Sequence, residues 1–429
     1  MRKQWFFCIL KSTMAHTELI TGIDIGSSTI RIAVGEAAPE QGTLSIIGIA
    51  EGEARGVARG TIRSIEDVVA SIVQVRSRAE KMVGAHLESA VVAISGSHIT
   101  AQESKGVIAV GRADGEIRED DVERVLEAAQ AVSVPPNYEI IHVLPRSFSI
   151  DNQTAIRDPI GMNGVRLEVS AQIIEGQSNH IKNLTKAVTL SGFGIDDLVV
   201  AMLASAEATL SERQKDLGVA LVNMGSATTS VLVFEEGDIM LVRVLPVGAS
   251  HITNDIAIGL RTNIDTAEAI KVQYGGTLSS LGSGADLVQT SEVDEREEGS
   301  FSKKYLAEII EARVEEIFSM VDKELRGVGR SGKLPAGVIL SGGGAVLPGL
   351  ADVAKRVFRL PAGVGVPTGV SSAIDKLASP AYTTAVGLVL WGHANQEARA
   401  TTFGASMRGF KGMSAISEQM RSIIKIFKS

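Results

Sequence analysis

The chain has 429 residues, of which 45% are hydrophobic and 44 are glycines, and its formal net charge is -8. This length and composition predict an α/β protein of about two to four domains and exclude a disordered or fibrous chain. The negative charge argues against nucleic acid as the main partner, and the single cysteine, Cys8, excludes a disulfide framework and fits a reducing compartment.

The first 17 residues contain Arg2, Lys3 and a six-residue apolar run from Trp5 to Leu10. This run is shorter than the ~7 to 15 apolar residues of a signal peptide, and no cleavage-like segment follows it. We therefore expect residues 1–17 to be a dispensable tail, with Met14 as an alternative start. No stretch elsewhere has the ~20 consecutive apolar residues that a membrane-spanning helix needs.

Residues 22–36 predict a β-hairpin around a turn of small residues, which we call the first hairpin. An apolar strand that carries Asp24 leads into the turn Gly26-Ser27-Ser28-Thr29, and a second β-rich run follows. Backbone N–H groups and hydroxyls of such a turn can bind phosphate, and Asp24 could hold a cation with its waters. A plain hairpin without a ligand has the same pattern, so both interpretations stay open at this point.

The pattern is repeated at residues 220–234, the second hairpin, with Asn223 in the place of Asp24 and a turn of Gly225, Ser226, Ala227 and Thr228. A glycine turn, Gly342-Gly343-Gly344, follows a third apolar strand at residues 336–340. Two equivalent hairpins and a late glycine turn predict a duplicated α/β fold that holds one nucleotide between its halves.

Two segments interrupt this duplicated pattern. Residues 65–83 and 178–190 have helical periodicity, whereas the intervening stretch from about 99 to 176 changes character and reads as a small insert. It predicts a helix around residues 120–129, strands at 138–144 and 146–150, and a structural rather than metal-binding role for the isolated His142. Residues 248–332 predict a second, helical insert, and residues 379–392 a buried closing helix.

The end of the chain predicts a linker and then a detached helix. Residues 395–414 are rich in Gly, Ala, Ser and Thr, which indicates a flexible linker. Apolar residues then recur at helical spacing beside three cations, and the set comprises Ile416, Met420, Ile423, Ile424 and Phe427 with Arg421, Lys425 and Lys428. Such a helix suits a membrane interface, although a terminal helix packed on the body is the alternative.

These motifs in this order resemble the actin-type ATPase superfamily, and within it the FtsA family of bacterial cell-division proteins. The most specific stretches are residues 139–145, 156–168, 251–260 and 379–388. The resemblance implies a two-lobed actin-like α/β fold with a duplicated core, two inserted subdomains and a C-terminal amphipathic helix. Its parts would be a tail (1–17), a first lobe 1A (18–98, 179–209 and the closing helix 379–394), a first insert 1C (99–178), a second lobe 2A (210–249 and 333–378), a second insert 2B (250–332), a linker (395–414) and a membrane-targeting helix (415–429).

The resemblance also implies ATP and Mg²⁺ as cofactors. Asp24 would position magnesium or its waters, and the remaining nucleotide-binding residues would be Gly26, Ser27, Ser28, Thr29, Asn223, Gly225, Ser226, Ala227, Thr228, Glu268, Lys271, Gly342, Gly343 and Gly344. Glu268 and Lys271 would approach the ribose, with a surface ion pair as the alternative. No catalytic residue is assigned beyond Asp24 and Asn223 as candidates for positioning magnesium or water.

Members of this family tether filaments of the tubulin-like FtsZ to the cytoplasmic face of the inner membrane at the division site. The resemblance therefore implies self-assembly into filaments, an FtsZ tail at the second insert, later division proteins at the first insert and a membrane surface at the C-terminal helix. Arg313 would pair with the acidic tail, and an intrahelical pair with a neighbouring glutamate is the alternative.

The second hairpin departs from the family pattern, because relatives usually carry aspartate at position 223, glycine at 224 and often aspartate at 230. Here stand Asn223, Met224 and Ser230. Asparagine is no general base, so we expect ATP binding with very slow turnover. A sugar-type kinase of the same superfamily is the rival interpretation, but it would have no use for a basic terminal helix. A chaperone-like ATPase would need a β-rich peptide-binding domain after the core.

Overall fold

Two five-stranded sheets, one in each half of the chain, form the centre of a computed structural model that describes residues 18–38, 43–131, 134–281 and 287–405. The first half begins with β1 (Leu19–Ile25), β2 (Thr29–Ala38), β3 (Thr43–Glu53), β4 (Val57–Ala58), β5 (Thr61–Ile62), α1 (Ile65–Val83) and β6 (Ser89–Ile94). The first insert adds β7 (Thr100–Ala109), α2 (Glu119–Gln130), β8 (Tyr138–Ile150), β9 (Gln153–Ile156) and β10 (Arg166–Gln177). The chain then returns to the first lobe through α3 (Ser178–Leu190), β11 (Gly194–Val200) and α4 (Ala201–Thr209), and α5 (Glu212–Leu217) leads into the second half.

The first lobe is a mixed sheet in the order β11-β6-β1-β2-β3. Strands β1 and β2 pair antiparallel, while β6 runs parallel to both β1 and β11. Helix α1 has the bounds that its periodicity predicts, because Ser64 caps its first turn and Gly84 ends it in a left-handed conformation. Its buried face includes Val68, Ile72 and Val75.

The first insert has a sheet of its own, in the order β7-β10-β8-β9, with α2 packed on it. The prediction of two strands separated at Pro145 was wrong, because β8 continues through this residue. Pro145 lies opposite Ala171 at a shift of register between Ser170 and Ala171. Such an irregularity accommodates a residue that has no N–H to donate to the ladder.

The second half repeats the sheet in the order β14-β13-β12-β17-β18. Its elements are β12 (Val219–Met224), β13 (Thr229–Glu235), β14 (Asp238–Leu245), α6 (Ala249–Leu260), α7 (Ile264–Tyr274), β15 (Leu287–Gln289), β16 (Ser300–Ser302), α8 (Lys303–Gly327), β17 (Gly337–Ser341), α9 (Leu350–Phe358), β18 (Ala362–Val364) and α10 (Thr383–Ala405). A short 3₁₀ turn, Gly343–Val346, follows β17. Helices α6, α7 and α8 confirm the predicted helical character of the second insert.

Helices α4 and α10 cross tightly between the two sheets. A methyl group added at Gly387 of α10 would lie 1.7 Å from the carbonyl oxygen of Ala204 in α4, so only glycine permits this approach. Seven of the nine residues of α4 are buried. The apolar run at residues 198–202 predicts a strand, but the strand ends at Val200 and Ala201 already begins α4.

Helix α10 also corrects the predicted linker. It begins at Thr383, after a 3₁₀ turn at Pro380–Tyr382, and continues through residue 395 to Ala405. The alanine-rich stretch after residue 395 favours helix more strongly than its small and polar residues favour a linker. The predicted membrane helix at residues 415–429 and the tail at residues 1–17 lie outside the described residues. No helix within the described ranges is long and apolar enough to cross a membrane.

The first insert contacts the second lobe as well as the first. Ile141 and Leu144 of β8 belong to the same buried cluster as Ile239 and Val242 of β14. Outside this apolar contact, the guanidinium of Arg157 donates to a carboxylate oxygen of Asp216 at 3.1 Å and to the backbone carbonyl of Glu236 at 2.5 Å. The insert is thus packed against both lobes.

Candidate functional site

A cleft between the two lobes is the candidate site. Its walls are formed where β1 turns into β2, where β12 turns into β13 and where β17 ends in the glycine turn. The structure brings all fifteen predicted nucleotide-binding residues to this cleft, namely Asp24, Gly26, Ser27, Ser28, Thr29, Asn223, Gly225, Ser226, Ala227, Thr228, Glu268, Lys271, Gly342, Gly343 and Gly344. Their shared position fits one elongated ligand, and their individual roles remain predictions.

The two hairpins close with the same backbone turn. The N–H of Gly26 donates to the carbonyl of Thr29 at 3.1 Å, and that of Gly225 donates to the carbonyl of Thr228 at 2.9 Å. Each turn presents four small residues to the cleft, and the two turns do so from opposite sides. This is the arrangement that a duplicated pair of phosphate-binding turns requires.

The first hairpin places a carboxylate opposite a guanidinium. Asp24 on β1 and Arg31 on β2 are paired in register, and both line the cleft. Burial raises the pKa of Asp24 to about 6, although the positive charge of Arg31 acts in the opposite direction. Arg31 also lies 3.4 Å from Glu51, and its guanidinium stands 5.5 Å from the ring centre of Tyr382.

Arg31 is the main charged cleft residue that the sequence reasoning missed. A hairpin that turns at residues 26–29 pairs residue 25 with residue 30 and residue 24 with residue 31. The position of Arg31 opposite Asp24 could therefore have been predicted from the hairpin. A cation beside the phosphate turn adds to the electrostatic attraction for an anionic ligand.

The second hairpin presents a neutral amide where the first has its acid. The side-chain amide nitrogen of Asn223 donates to the hydroxyl of Ser205 at 2.9 Å, and Ser230 lies opposite Asn223 in register. The carbonyl oxygen of the amide lies beside Gly342, where an added methyl group would approach it to 2.5 Å. Gly342 has φ 84°, so glycine is required there both for backbone conformation and for space.

Glu268 and Lys271 of α7 form the predicted ion pair and also face the cleft. The Lys271 ammonium lies 2.5 Å from the Glu268 carboxylate and 2.8 Å from the hydroxyl of Thr253, and Thr253 donates to Glu268 in turn. Lys271 is only 8% exposed. The ion pair given as the alternative is therefore present, and both of its side chains also line the cleft.

The wall beyond the glycine turn is apolar, which the sequence reasoning did not predict. Val346, Leu347 and Pro348 line it after the turn, and Val272 lines it from α7. Val272 is 75% exposed and Val346 is 56% exposed, so both offer apolar surface to the cleft.

The other predicted residues have structural surroundings. His142 accepts a hydrogen bond from the N–H of Val200 at Nε2, and burial lowers its pKa to about 4, which agrees with a structural role. In the described part of the chain, no three His, Cys, Asp or Glu side chains are grouped as a metal site. The water-mediated magnesium contact predicted for Asp24 stays a prediction.

Arg313 is engaged within the second insert. Its guanidinium makes two hydrogen bonds to Asp255 of α6, one of them at 2.9 Å, and one to Glu316 a turn further along α8 at 2.5 Å. The alternative of an intrahelical pair is thus present, together with a second pair across helices. The predicted membrane residues Ile416, Met420, Arg421, Ile423, Ile424, Lys425, Phe427 and Lys428 lie outside the described residues.

Comparison with known families gives two matches. The family model described as "Cell division protein FtsA" matches residues 220–387, and that described as "SHS2 domain inserted in FTSA" matches residues 96–175. The second match covers most of the first insert.

Whole-chain relatives show the same likeness. The chain is 38% identical over 379 residues to cell division protein FtsA of Pseudomonas aeruginosa, covering 88% of this chain and 90% of the relative. It is 37% identical to that of Bacillus subtilis, with 92% and 88% covered, and 34% identical to that of Escherichia coli K12, with 89% and 92% covered.

Solved structures confirm the predicted two-lobed actin-like fold. The PilM–PilN type IV pilus biogenesis complex superposes with a TM-score of 0.65 at 17% identity, covering 87% of this chain and 98% of that one. MreB5 of Spiroplasma citri bound to AMPPNP gives 0.53 at 12% identity, covering 90% and 99%. At these identities the likeness concerns the fold alone.

Proposed function

The chain belongs to the FtsA family of cell division proteins, and from this premise we propose that it is an ATP-binding, actin-like filament protein of bacterial cell division. One observation carries the nucleotide part of the proposal, namely the convergence of both hairpins and the glycine turn on one cleft. A structure of the same fold, MreB5 of Spiroplasma citri, is described as bound to ADP and another as bound to AMPPNP.

The cleft suits a magnesium-bound triphosphate in three respects. The turns that begin at Gly26 and Gly225 supply backbone N–H groups and hydroxyls from both sides for the phosphates. Glu268 and Lys271 would hold the ribose, and the glycine turn with its apolar continuation would hold the base. Magnesium, when bound, neutralises phosphate charge, and Asp24 is the carboxylate placed to hold it through water.

Hydrolysis is proposed to be slow. Among the residues that line the cleft, the only carboxylates are Asp24 and Glu268, and Glu268 is occupied by Lys271 and Thr253. The start of α4 presents Ala201 and Met202 to the cleft, and neither can take a proton from water. With Asn223 also neutral, the site is better equipped to bind ATP than to cleave it.

Partners and membrane attachment are proposed by extension from the family. The tail of FtsZ would bind the second insert (250–332), later division proteins the first insert (99–178), other copies of the chain would assemble into filaments, and residues 415–429 would lie on the cytoplasmic face of the inner membrane. If Arg313 receives the acidic tail, the tail must compete with Asp255, which already holds the guanidinium by two hydrogen bonds.

Sedimentation with anionic liposomes, with and without Mg²⁺-ATP, tests this proposal. A single short amphipathic helix binds reversibly, and a polymer presents many helices at once, so we expect ATP to increase co-sedimentation of the full chain. A chain truncated at Gly409 should lose it but still form ATP-dependent polymer without lipid. Unchanged co-sedimentation of the truncated chain would exclude the membrane tether, and absence of ATP-dependent polymer would exclude the filament.

A further inference from the structure

A buried polar contact at the back of the cleft joins the second hairpin to both crossing helices. Asn223 of β12 donates from its amide nitrogen to Ser205 of α4 at 2.9 Å and lies 3.5 Å from the hydroxyl of Thr384 of α10. The two hydroxyls are 2.8 Å apart. Ser205 is 0% exposed and Thr384 is 5% exposed.

The two hydroxyls are held by backbone geometry. The crossing at Gly387 and Ala204 leaves no space for α4 and α10 to slide past each other without contact between their backbones. Ser205 directly follows Ala204, and Thr384 lies one turn before Gly387. Because their helices are fixed, the hydroxyls define where the end of the residue-223 side chain can lie.

This contact also fixes which atom of Asn223 faces the ligand. With the amide nitrogen directed to Ser205, the carbonyl oxygen is turned toward Gly342 and the glycine turn, on the cleft side. A serine or threonine hydroxyl both donates and accepts, so the same pair could instead donate to a carboxylate in the same position. The amide and a carboxylate have nearly the same shape, and neither would need the helices to move.

We propose that Ser205 and Thr384 are positioning residues that hold one oxygen of residue 223 toward the cleft, and that they would hold a carboxylate there as well. Ser205, Thr384 and the oxygen that they position at residue 223 thus form a frame that would hold a carboxylate. This inference rests on the proposed binding of ATP in the cleft. In the reaction the oxygen of water bonds to the γ-phosphorus, the bond to the β–γ bridging oxygen breaks, ADP leaves, and the water proton passes to the carboxylate introduced by N223D.

A mutant cycle on the full chain tests the frame. The variants are N223D, S205A/T384V and the triple variant, compared by kcat and KM for phosphate release with Mg²⁺-ATP. We expect N223D to raise kcat at least about tenfold with KM changed by less than about threefold, since general-base assistance acts on the chemical step. The gain from N223D should fall below about threefold when S205A/T384V is the background.

Two controls separate positioning from general stability. T384S keeps the hydroxyl, so N223D/T384S should keep most of the gain. Thr209 is on the same helix as Ser205 and donates to its backbone carbonyl at 2.6 Å, so N223D/T209V removes a hydroxyl without touching residue 223 and should keep the gain as well. Thermal unfolding and the affinity for a fluorescent ATP analogue identify any variant that fails to fold.

The outcomes distinguish this inference from the proposed function. An equal gain from N223D with and without the two hydroxyls would overturn their positioning role. No gain from N223D in a protein that binds Mg²⁺-ATP would overturn the frame and leave nucleotide binding intact. Failure of the unmodified chain to bind Mg²⁺-ATP would overturn the proposed function itself. If S205A/T384V does not fold, the T384V and T384S pair in the N223D background decides between the same results.

Discussion

The two hairpins that face each other across the cleft have the same backbone and different chemistry. Each closes its turn with a glycine N–H donating to the carbonyl three residues on, at 3.1 Å in the first and 2.9 Å in the second. Across the strands, however, Asp24 faces Arg31, whereas Asn223 faces Ser230. The first hairpin therefore carries a pair of opposite charges where the second is neutral.

Their surroundings differ as well. The first hairpin is hydrogen-bonded to its own lobe. The N–H of Ala54 donates to the backbone carbonyl of Ser28, and the N–H of Gly60 donates to the hydroxyl of Ser27. The second hairpin accepts hydrogen bonds from the first residues of α6, where the second insert begins. The two turns thus share one backbone conformation, although the strand before the second carries an amide where the first carries an acid. If both turns bind phosphate, as we propose, binding does not require an acid in each hairpin.

The largest expected effect comes from removing the acid of the charged hairpin. Asp24→Asn should weaken the binding of Mg²⁺-ATP by roughly ten- to a hundredfold, because it removes the carboxylate proposed to hold the magnesium. Asn223→Ala in the neutral hairpin should cost less than about fivefold. Titration calorimetry with and without Mg²⁺ measures both, and equal losses would show that the hairpins are equivalent.

A smaller difference is expected from the turn glycines. A methyl group at Gly26 would lie 2.7 Å from the carbonyl oxygen of Thr29, whereas at Gly225 it would lie 3.1 Å from that of Thr228. Gly26→Ala should therefore weaken ATP binding by about tenfold and Gly225→Ala by about threefold, since the first contact forces the larger backbone shift. Thermal unfolding serves as the control for folding. A stronger effect at residue 225 would contradict this order.

The smallest effect concerns pH. With the pKa of Asp24 raised to about 6 by burial, its carboxylate is mostly ionised at pH 7.5 and mostly protonated at pH 5.5, so Mg²⁺-ATP affinity should fall about fourfold over this range. For folding the sign is opposite: the folded chain binds this proton more tightly than the unfolded chain does, so the contribution of Asp24 to stability increases as pH falls from 6 to 4. Asp24→Asn should flatten both dependences, and Asn223→Ala should change neither. A pH dependence that persists in Asp24→Asn would assign it to another group.

The sequence predicts the elements whose patterns repeat locally. Glycine-containing turns between apolar strands locate both hairpins, and helical spacing gives α1 and α3 with the observed bounds. Prediction from the sequence fails where a helix is buried on all sides, because its apolar residues then show no helical period. Helix α4 is buried on nearly all sides and has no polar face to reveal its period, so its first residues predict the end of a strand instead.

Within the site, the sequence predicts which residues line the cleft. It does not predict which of their side chains are hydrogen-bonded to each other or to the helices behind them. Thirteen of the fifteen residues lie in the two hairpins or the glycine turn, whose sequences are recognisable, and Glu268 and Lys271 lie within α7. Ser205 and Thr384 lie 179 positions apart in buried helices, and nothing in either local sequence predicts their hydrogen bond. Contacts of this kind depend on how helices cross, which is a tertiary property.

Helix α10 runs from the cleft to the last residue that the structure describes. One end carries Thr384 beside Asn223, and the backbone then runs as one helix for 23 residues to Ala405, a length of about 35 Å at 1.5 Å per residue. A rotation of about 10° at the cleft end would displace the far end by about 6 Å, by the arithmetic of that length. A rotation of this helix imposed at the cleft would therefore be enlarged at Ala405, the last residue that the structure describes.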